Sequence, residues 1–246
     1  MSASQTPRRR SKPSPHRPGP SRGKFVVLEG GEGAGKSTLA HVLAERLRDE
    51  GLEVVVTREP GATLLGTHIR EMLLSASTHP PTPLAELLLY AADRAQHCAT
   101  VIVPALERGA WVLSDRFADS SVVYQGIGRG LGRTLVEKLN AIATAGLEPD
   151  RTLLLDVPPE LGLARAAEGR GGKLDRLESE PIDFHRKLRK GFLALAERRP
   201  SQYRVLDARL PADALAEAAW AAMPARNRRA SVRRPSPKPA KGARRR

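Results

Sequence analysis

Cysteine is almost absent from this chain, which has Cys98 alone among its 246 residues. No disulfide can therefore form within the chain, and this is typical of proteins from a reducing compartment. Long apolar runs are missing as well: no stretch approaches the roughly 18 residues of a membrane-spanning helix, and no apolar signal-peptide region opens the chain. These absences lead us to expect a soluble cytoplasmic protein without a membrane segment.

Acidic residues are missing from both ends of the chain. Residues 1–24 contain seven Lys or Arg and residues 225–246 contain ten, and neither range contains an acid. Removing these 17 from the 41 basic residues of the whole chain leaves 24, against 27 acidic residues. The formal net charge of +14 therefore belongs to the two ends, while the region between them is slightly acidic.

Both ends are rich in Pro, Ser and Arg and contain few large apolar residues. Such segments bury too little surface to fold, so we predict disordered basic tails over residues 1–23 and 224–246, and one folded domain over residues 24–223. Loose attraction of these tails to polyanions fits their charge. Specific nucleic-acid binding is less favoured, because no aromatic residues for base stacking lie among the arginines. An organelle transit peptide is a further alternative, which the prolines oppose.

Five short apolar runs predict strands between residues 25 and 207. They are nearly continuous rather than alternating, which is typical of parallel strands covered on both faces. Helical patterns separate them, so we predict an α/β fold with a doubly wound, five-stranded parallel sheet flanked by helices. The runs are FVVLE (25–29), EVVVT (53–57), WVLSD (111–115), TLLLD (152–156) and YRVLD (203–207).

Helices are predicted between the strands from apolar residues that recur every three or four positions. Pro104 lacks a backbone N–H and should break or kink the helix that contains it. The predicted helical ranges are about 36–50, 65–73, 84–107, 182–197 and 212–222.

The phosphate-loop (P-loop) pattern G-x-x-x-x-G-K-[ST] is matched by residues 30–37, GGEGAGKS, between a predicted strand and a predicted helix. Glycines let successive backbone N–H groups face an anion, and the helix N-terminus adds partial positive charge. Lys36 is expected to reach the β- and γ-phosphates of ATP, and Ser37 to bind Mg²⁺. The predicted ATP-binding residues are Gly30, Gly31, Glu32, Gly33, Ala34, Gly35, Lys36, Ser37 and Thr38.

Two further predicted strands end in an acid, Asp115 and Asp156. The carboxyl edge of a parallel sheet exposes ligand-binding groups, so Asp115 is predicted to hold Mg²⁺ through water. The alternative for Asp115 is a solvated strand-end acid or a helix cap. For Asp156 that structural alternative is the favoured one.

Several arginines suggest that phosphate groups are bound. Arg58 and Arg116 directly follow predicted strands, on the same sheet edge as the phosphate loop. A single arginine is most simply a surface salt-bridge partner, but several on one edge favour phosphate binding. If the acceptor is itself a phosphate ester, with a second pKa of about 6, no general base is needed. Arginines and Mg²⁺ would then reduce the repulsion between the two reacting anions.

Six motifs follow one another in a specific order: FVVLEGGEGAGKST, TREPGAT, AELLLYAADRAQH, VIVPALERGAWVLSDRFADSSVVYQG, GRG and KLDRLE. In these motifs, over about residues 24–223, the chain resembles the thymidylate kinase (dTMP kinase) family in its bacterial form. The resemblance implies an enzyme that transfers the γ-phosphoryl group of ATP, with Mg²⁺, to dTMP and yields dTDP for dTTP synthesis. It also implies a homodimer.

The resemblance further implies roles for individual residues. Glu32 would face the sugar of the acceptor nucleotide and help to organise Mg²⁺, so that this acid points away from the ATP phosphates. Arg58 and Arg116 would hold the dTMP phosphate. The implied catalytic residues are Lys36, Glu32, Arg116 and Arg170, and the implied dTMP-binding residues are Arg58, Tyr90, Arg94, Arg116, Ser120 and Tyr124.

The thymine pocket is implied by two pairs of residues that are each four positions apart. Tyr90 would stack on the thymine ring, and Arg94, on the same helical face, would bind the edge of the base. Ser120 and Tyr124 would line the pocket, with Tyr124 crowding the 2′ position against ribonucleotides. Without the resemblance, Tyr90 and Tyr124 would more simply be core aromatics.

A short lid segment is expected at about residues 164–178, which include RAAEGRGGKLDR. The resemblance implies that an arginine of this segment reaches the transferring phosphoryl group. Arg170 is the expected one, and Arg176 and Arg165 are the alternatives.

The chain departs from the family pattern at two positions. Ala62 stands where a second glycine is commoner after Gly61, which matters only if this position needs a positive φ. Phe117 stands where Tyr or His is usual, which is neutral if its ring only packs.

Two other functions stay open. A kinase of the same fold that acts on a modified pyrimidine would keep the phosphate loop but alter the base pocket, whose expected residues are all present. A nucleotide-binding protein that uses its basic tails on nucleic acid, with ATP hydrolysis as a switch, would lose its function without the tails. A GTPase is disfavoured because no [NT]KxD motif for guanine occurs.

Overall fold

The computed structural model describes residues 22–75, 79–169, 171–172 and 174–225. The two predicted disordered tails fall almost entirely outside these ranges, and so does Arg170. The domain limits and the role of that arginine therefore stay predictions.

The five predicted strands form one parallel sheet in the order β2-β3-β1-β4-β5. The central strand β1 pairs with β3 on one side and β4 on the other, which confirms the predicted double winding. Asp115 is level with Leu28 of β1 and with Arg58 of β2, so the phosphate loop, Arg58 and Asp115 share one sheet edge. The strands are β1 (Phe25–Gly30), β2 (Val54–Arg58), β3 (Trp111–Asp115), β4 (Arg151–Asp156) and β5 (Tyr203–Asp207).

Helices cover both faces of the sheet. In β1, Val26 and Leu28 pack on the face that holds Leu43, whereas Phe25 packs on the opposite face with Ile102. Alternate residues of one strand are thus buried in different clusters, which explains why the strand sequences are continuously apolar. The α-helices are α1 (Lys36–Asp49), α2 (Leu64–Leu74), α3 (Pro83–His97), α4 (Val103–Glu107), α5 (Ala118–Ser121), α6 (Arg133–Thr144), α7 (Pro159–Gly169), α8 (Ile182–Arg198) and α9 (Ala212–Ala222).

Pro104 lies at the start of α4, where the helical hydrogen bonding changes from the π to the α pattern. A π-helical segment, Cys98–Ile102, joins α3 to α4 directly before it. The predicted irregularity is therefore a π segment followed by a new helix. Across the described residues, no helix is both long and apolar enough to cross a membrane.

Candidate active site

The phosphate loop follows β1 and ends on the first turn of α1. Gly33 and Gly35 have positive φ angles of 61° and 89°, a conformation that glycine adopts without strain. A Cβ atom on Gly33 would also lie 1.9 Å from the backbone oxygen of Gly162 in α7. Backbone shape and the close approach of α7 therefore both require glycine at position 33.

Lys36 points its ammonium group back into this loop. Its Nζ donates to the backbone oxygens of Gly30 at 3.2 Å and Gly31 at 2.7 Å. Burial lowers the pKa of Lys36, and so does the positive charge of Arg116. The same side chain lines an open cleft along the loop, here called the phosphate cleft, so it is placed to meet a phosphate there.

Ser37 and Asp115 lie together in the phosphate cleft. The Ser37 hydroxyl donates a short hydrogen bond to the carboxylate of Asp115 at the end of β3. Hydroxyl and carboxylate oxygens are hard donors of the kind that Mg²⁺ prefers. The two predicted metal-binding residues thus offer a donor set that fits this ion.

Glu32 is bonded to side chains from outside the phosphate loop. Its Oε1 accepts hydrogen bonds from Arg116 Nη2 at 2.7 Å and from the Tyr124 hydroxyl at 2.6 Å. Burial opposes ionisation of this carboxyl group, but the charges of Arg116 and Lys36 outweigh it and lower the pKa of Glu32 to about 2. The ionised carboxylate therefore compensates the charge of Arg116 in the centre of the site.

Arg116 has a φ of 73°, in the left-handed region that non-glycine residues rarely adopt. Its backbone N–H donates to the oxygen of Leu28 at 2.9 Å, and its carbonyl accepts from Ser114 Oγ at 2.7 Å. The side-chain Nη1 donates to the oxygen of Gly30 at 3.0 Å and to Ser120 Oγ at 3.2 Å. Backbone strain of this kind is typical of functional sites, where the surrounding contacts hold it in place.

A second space, here called the inner cavity, opens beside the phosphate cleft. Glu32, Glu59, Arg70 and Arg116 line both spaces, so the cleft and the cavity meet at these residues, and Glu32 and Arg116 are the predicted site residues among them. The Arg116 guanidinium carbon lies 5.0 Å from the centre of the Tyr124 ring. The predicted nucleotide-binding residues that line the inner cavity are Tyr90, Arg94, Arg116, Ser120 and Tyr124.

Arg94 is almost fully buried, with 1% of its surface exposed. Its Nε donates to Glu59 at 2.8 Å, its Nη1 to Asn140 at 2.7 Å and Ser121 at 3.1 Å, and its Nη2 to the backbone oxygen of Phe117 at 3.2 Å. These bonds occupy four of the five N–H groups of a guanidinium. The structure thus places Arg94 at the wall of the cavity, with its guanidinium held by four hydrogen bonds to protein atoms.

Gln125 also lines the inner cavity, and the sequence prediction missed it. Its Nε2 donates to Glu86 Oε1 at 2.8 Å. Because an ionised carboxylate only accepts hydrogen bonds, this contact determines which way the amide faces. In the sequence, its position directly after the predicted pocket residue Tyr124 could have indicated that Gln125 lines the cavity.

Two arginines extend the basic lining of the site. Arg58, at the end of β2, lines the phosphate cleft as predicted from its position after a strand. Arg70 of α2 was not predicted, yet it lines both the cleft and the inner cavity. Its Nη1 donates to the backbone oxygen of Pro60 at 3.0 Å.

The arginines considered for the lid lie in different surroundings. Arg165, on α7, lines the phosphate cleft and donates to the backbone oxygen of Ala208 at 2.8 Å. Arg176 instead donates to the buried carboxylate of Glu86 at 2.5 Å, and so ties its segment to α3. Arg170 lies outside the described residues. Of the two described arginines, Arg165 is the one at the cleft.

Local geometry explains three open points of the sequence. Ala62 is not among the residues with a positive φ, so alanine costs no backbone strain there. The buried ring of Phe117 packs edge-on against Phe25, with ring centres 4.9 Å apart, so it acts as a packing residue. Asp156 accepts two hydrogen bonds from Arg189, at 2.7 and 2.8 Å, which supports the favoured structural role.

The chain is similar to a family model, to relatives from several bacteria and to a solved structure, and all of them have the same name. A family model described as Thymidylate kinase matches residues 28–219. A thymidylate kinase of Deinococcus radiodurans is 52% identical over 203 residues, 82% of this chain and 97% of that protein. One of Carboxydothermus hydrogenoformans is 51% identical over 188 residues, 76% of this chain and 90% of that protein. The crystal structure of thymidylate kinase from Ehrlichia chaffeensis matches with a TM-score of 0.62 and 32% identity, over 75% of this chain and 93% of that one.

Proposed function

The chain belongs to the thymidylate kinase family, and from this premise we propose how its site transfers a phosphoryl group. The enzyme phosphorylates dTMP to dTDP, with ATP as the donor. In the proposed arrangement the ATP phosphates lie along the phosphate cleft, and dTMP lies in the inner cavity with its phosphate towards the cleft. The observation that supports this most is that Glu32 and Arg116 line both spaces, so the two substrates would meet at these residues.

On the donor side, the backbone N–H groups of residues 30–38 and the start of α1 would bind the ATP phosphates. Lys36 would leave its backbone partners, Gly30 and Gly31, for the β- and γ-phosphates. Ser37 would bind Mg²⁺ directly and Asp115 through water. When bound there, the ion would compensate negative charge on the phosphate oxygens.

On the acceptor side, Arg58 and Arg116 would hold the dTMP phosphate. That phosphate has a second pKa of about 6, so its oxygen is largely ionised at neutral pH and attacks without a general base. A bond forms from this oxygen to the γ-phosphorus while the bond from that phosphorus to the β–γ bridging oxygen breaks. Arg116 would then act at the point of transfer, between donor and acceptor.

Glu32 would serve the acceptor nucleotide. Its carboxylate holds the Arg116 guanidinium and the Tyr124 hydroxyl, which both line the inner cavity. We assign it the sugar side of dTMP. Arg170, of the lid, would add the last positive charge to the transferring group, and Arg165 is the alternative at the cleft.

The base would be recognised deeper in the inner cavity. Tyr90 would stack on thymine, and the remaining N–H of Arg94 would bind the edge of the base. Ser120 would line the pocket beside them. Tyr124 would occupy the space next to the 2′ carbon, where a ribose hydroxyl would clash.

A homodimer in the cytoplasm, where both nucleotides occur, completes the proposal. Helix α3 packs between α2 and α6, and these helices expose large apolar side chains, which is typical of protein interfaces. Light scattering should give twice the chain mass of 26.7 kDa. Ile142→Glu, at an exposed apolar position of α6, should shift the protein towards the monomer. The exposed large apolar residues of these three helices are Leu64, Leu65, Met72, Leu84, Leu88, Leu135 and Ile142.

A nucleotide that links adenosine and thymidine through five phosphates tests the two-substrate arrangement. If ATP and dTMP meet end to end, this compound should inhibit competitively against both substrates. The matching compound with two adenosines should compete with ATP far better than with dTMP. Competition of the mixed compound with only one substrate would contradict the arrangement.

A further inference from the structure

Glu29, the last residue before the first glycine of the phosphate loop, is a fully buried acid that the proposed mechanism does not use. Its Oε1 accepts hydrogen bonds from the backbone N–H groups of Phe117 at 3.0 Å and Ser120 at 3.1 Å. Its Oε2 accepts from the Ser120 hydroxyl at 2.6 Å. The carboxylate thus binds the turn that directly follows Arg116.

These contacts set the direction of a chain of hydrogen bonds. When the Glu29 carboxyl group is ionised it only accepts, so the Ser120 hydroxyl then uses its one hydrogen towards Glu29. Its oxygen then faces Arg116 with lone pairs alone, and Nη1 of Arg116 donates to it at 3.2 Å. The order is therefore guanidinium to hydroxyl to carboxylate.

A simple helix cap does not explain an acid at this place. Neutral Ser or Asn caps a helix equally well, whereas burying a carboxylate is costly. Burial raises the pKa of Glu29 to about 7 in spite of the nearby Arg116 and the bond from Ser120, and the charge of Asp119 acts in the same direction as burial. What the acid adds is negative charge near Arg116 and a group that cannot donate to Ser120 when it is ionised.

We propose that Glu29 is a positioning residue for dTMP binding, which keeps the Ser120 hydroxyl as an acceptor for Arg116 and so aims the guanidinium at the acceptor phosphate. This inference rests on the role that the proposed function gives to Arg116. Glu29 touches no substrate in this account, and it acts only through its neighbours.

The test is steady-state kinetics of Glu29→Gln at about pH 8, where the wild-type carboxyl group is ionised. The amide of Gln can donate to Ser120 and so reverse the bond. Loss of a hydrogen bond to a charged group should raise the KM for dTMP about tenfold. The KM for ATP should stay within about twofold, because the phosphate loop keeps its own contacts.

Asp119→Asn is the matched control, because it neutralises another acid on the same turn. The Asp119 carboxylate accepts from Arg199 Nη2 at 2.7 Å and from the Tyr203 hydroxyl at 2.5 Å, and neither residue belongs to the proposed site. This variant should unfold at a lower temperature and keep the KM for dTMP within about twofold.

Ser120→Ala removes the hydroxyl from the same chain of hydrogen bonds and leaves Glu29 unchanged. It should also raise the KM for dTMP about tenfold, and the double variant with Glu29→Gln should be no worse than either single one. Because Ser120 also lines the proposed base pocket, it is read together with a Glu29 variant: if Glu29→Gln does not fold, Glu29→Asp replaces it, since the shorter side chain draws the carboxylate away from Ser120. An unchanged KM for dTMP in Ser120→Ala, or additive effects in the double variant, would overturn the proposal.

Wild-type turnover separates this inference from the proposed function. No phosphorylation of dTMP by the wild type would contradict the function itself. Normal wild-type turnover, with Glu29→Gln changed only in thermal stability, would contradict the positioning role alone.

Discussion

At the scale of single residues, the acid in the phosphate loop is explained by its partners. A carboxylate among the N–H groups that bind phosphate would repel ATP if its charge were not compensated. The Arg116 guanidinium compensates it at 2.7 Å, and the Tyr124 hydroxyl adds a second bond. Glu32 is thus directed towards the inner cavity, where we propose that the acceptor binds.

Glu32→Gln is expected to raise the KM for dTMP about tenfold, because it removes the charge that holds Arg116. The Mg²⁺ concentration for half-maximal rate should stay unchanged. Since the pKa of Glu32 is about 2, the wild-type carboxylate stays ionised throughout the neutral range, and the ratio of variant to wild type should not vary with pH there. Titrations of dTMP and Mg²⁺ at several pH values measure both effects. A shifted Mg²⁺ dependence with an unchanged KM for dTMP would assign Glu32 to the metal.

Tyr124→Phe is expected to weaken the discrimination against ribonucleotides. Without the hydroxyl there is space beside the proposed 2′ position, so the ratio of kcat/KM for dTMP to that for its ribonucleotide should fall about tenfold. The control is Tyr203→Phe, which removes the buried hydroxyl that donates to Asp119. Assays with both nucleotides decide, and an unchanged ratio in Tyr124→Phe would show that this residue does not select the sugar.

The sequence predicted the site residues that belong to local motifs, and missed those set by packing. Lys36, Ser37 and Asp115 follow from a strand, a glycine-rich loop and a strand end, and they lie together in the phosphate cleft. Glu86 joins Arg176, which is 90 positions away along the chain. Contacts of this kind depend on how α3 packs, and no local pattern encodes them.

At the scale of elements, α7 supports the phosphate loop by direct backbone contact. A Cβ atom on Gly162 would lie 2.3 Å from the backbone oxygen of Glu32. The first turn of α7 therefore approaches the loop as closely as two backbones allow. A side chain at that point must push the loop or the helix away.

Gly162→Ala is expected to raise the KM for ATP about tenfold, with a smaller effect on dTMP, because it displaces the loop that binds the donor phosphates. Leu161→Ala is the control on the same turn of the helix, since Leu161 is exposed and does not line the phosphate cleft. Steady-state kinetics with each substrate varied in turn measure the difference. Equal behaviour of the two variants would refute the support that we assign to α7.

The strands were predicted more accurately than the helices, for a physical reason. Burial on both faces makes each strand a continuous apolar run, and the observed limits differ from the predicted ones by at most one residue at each end. Helix α6 was missed: it buries Val136 together with the polar residues Asn140 and Thr144, while the apolar residues Leu135 and Ile142 are exposed, so burial does not follow the apolar positions. The π-helical segment Val122–Gly128 was missed because it is stabilised by packing on α6 and α8.

At the scale of the whole molecule, the excess positive charge lies at the two ends of the sequence, and the proposed site residues lie between them along the chain. The contacts of the first described residues show where the chain can be truncated without loss of bonds to the folded domain. The Gly23 N–H donates to the backbone oxygen of Leu106 at 2.8 Å, and Lys24 pairs with Asp150 at 2.9 Å. A truncated protein should therefore keep residues 22–225.

This truncated protein is expected to keep kcat and both KM values within about twofold of the full chain, because the residues that line the phosphate cleft and the inner cavity lie between positions 32 and 178. Added DNA should change neither protein's turnover. The measurement is steady-state kinetics of both proteins with and without DNA. A large loss of activity on truncation would favour the alternative in which the tails act on nucleic acid.

We propose that the inner cavity selects dTMP as the acceptor of the phosphoryl group. The most direct test of this proposal is ADP release by the purified full-length protein with ATP and Mg²⁺, measured with dTMP, dUMP, UMP, dCMP, dGMP or no acceptor. We expect strong turnover with dTMP, weaker turnover with dUMP and almost none with UMP. Release that ignores the acceptor, or that begins only when DNA or RNA is added, would contradict the proposal.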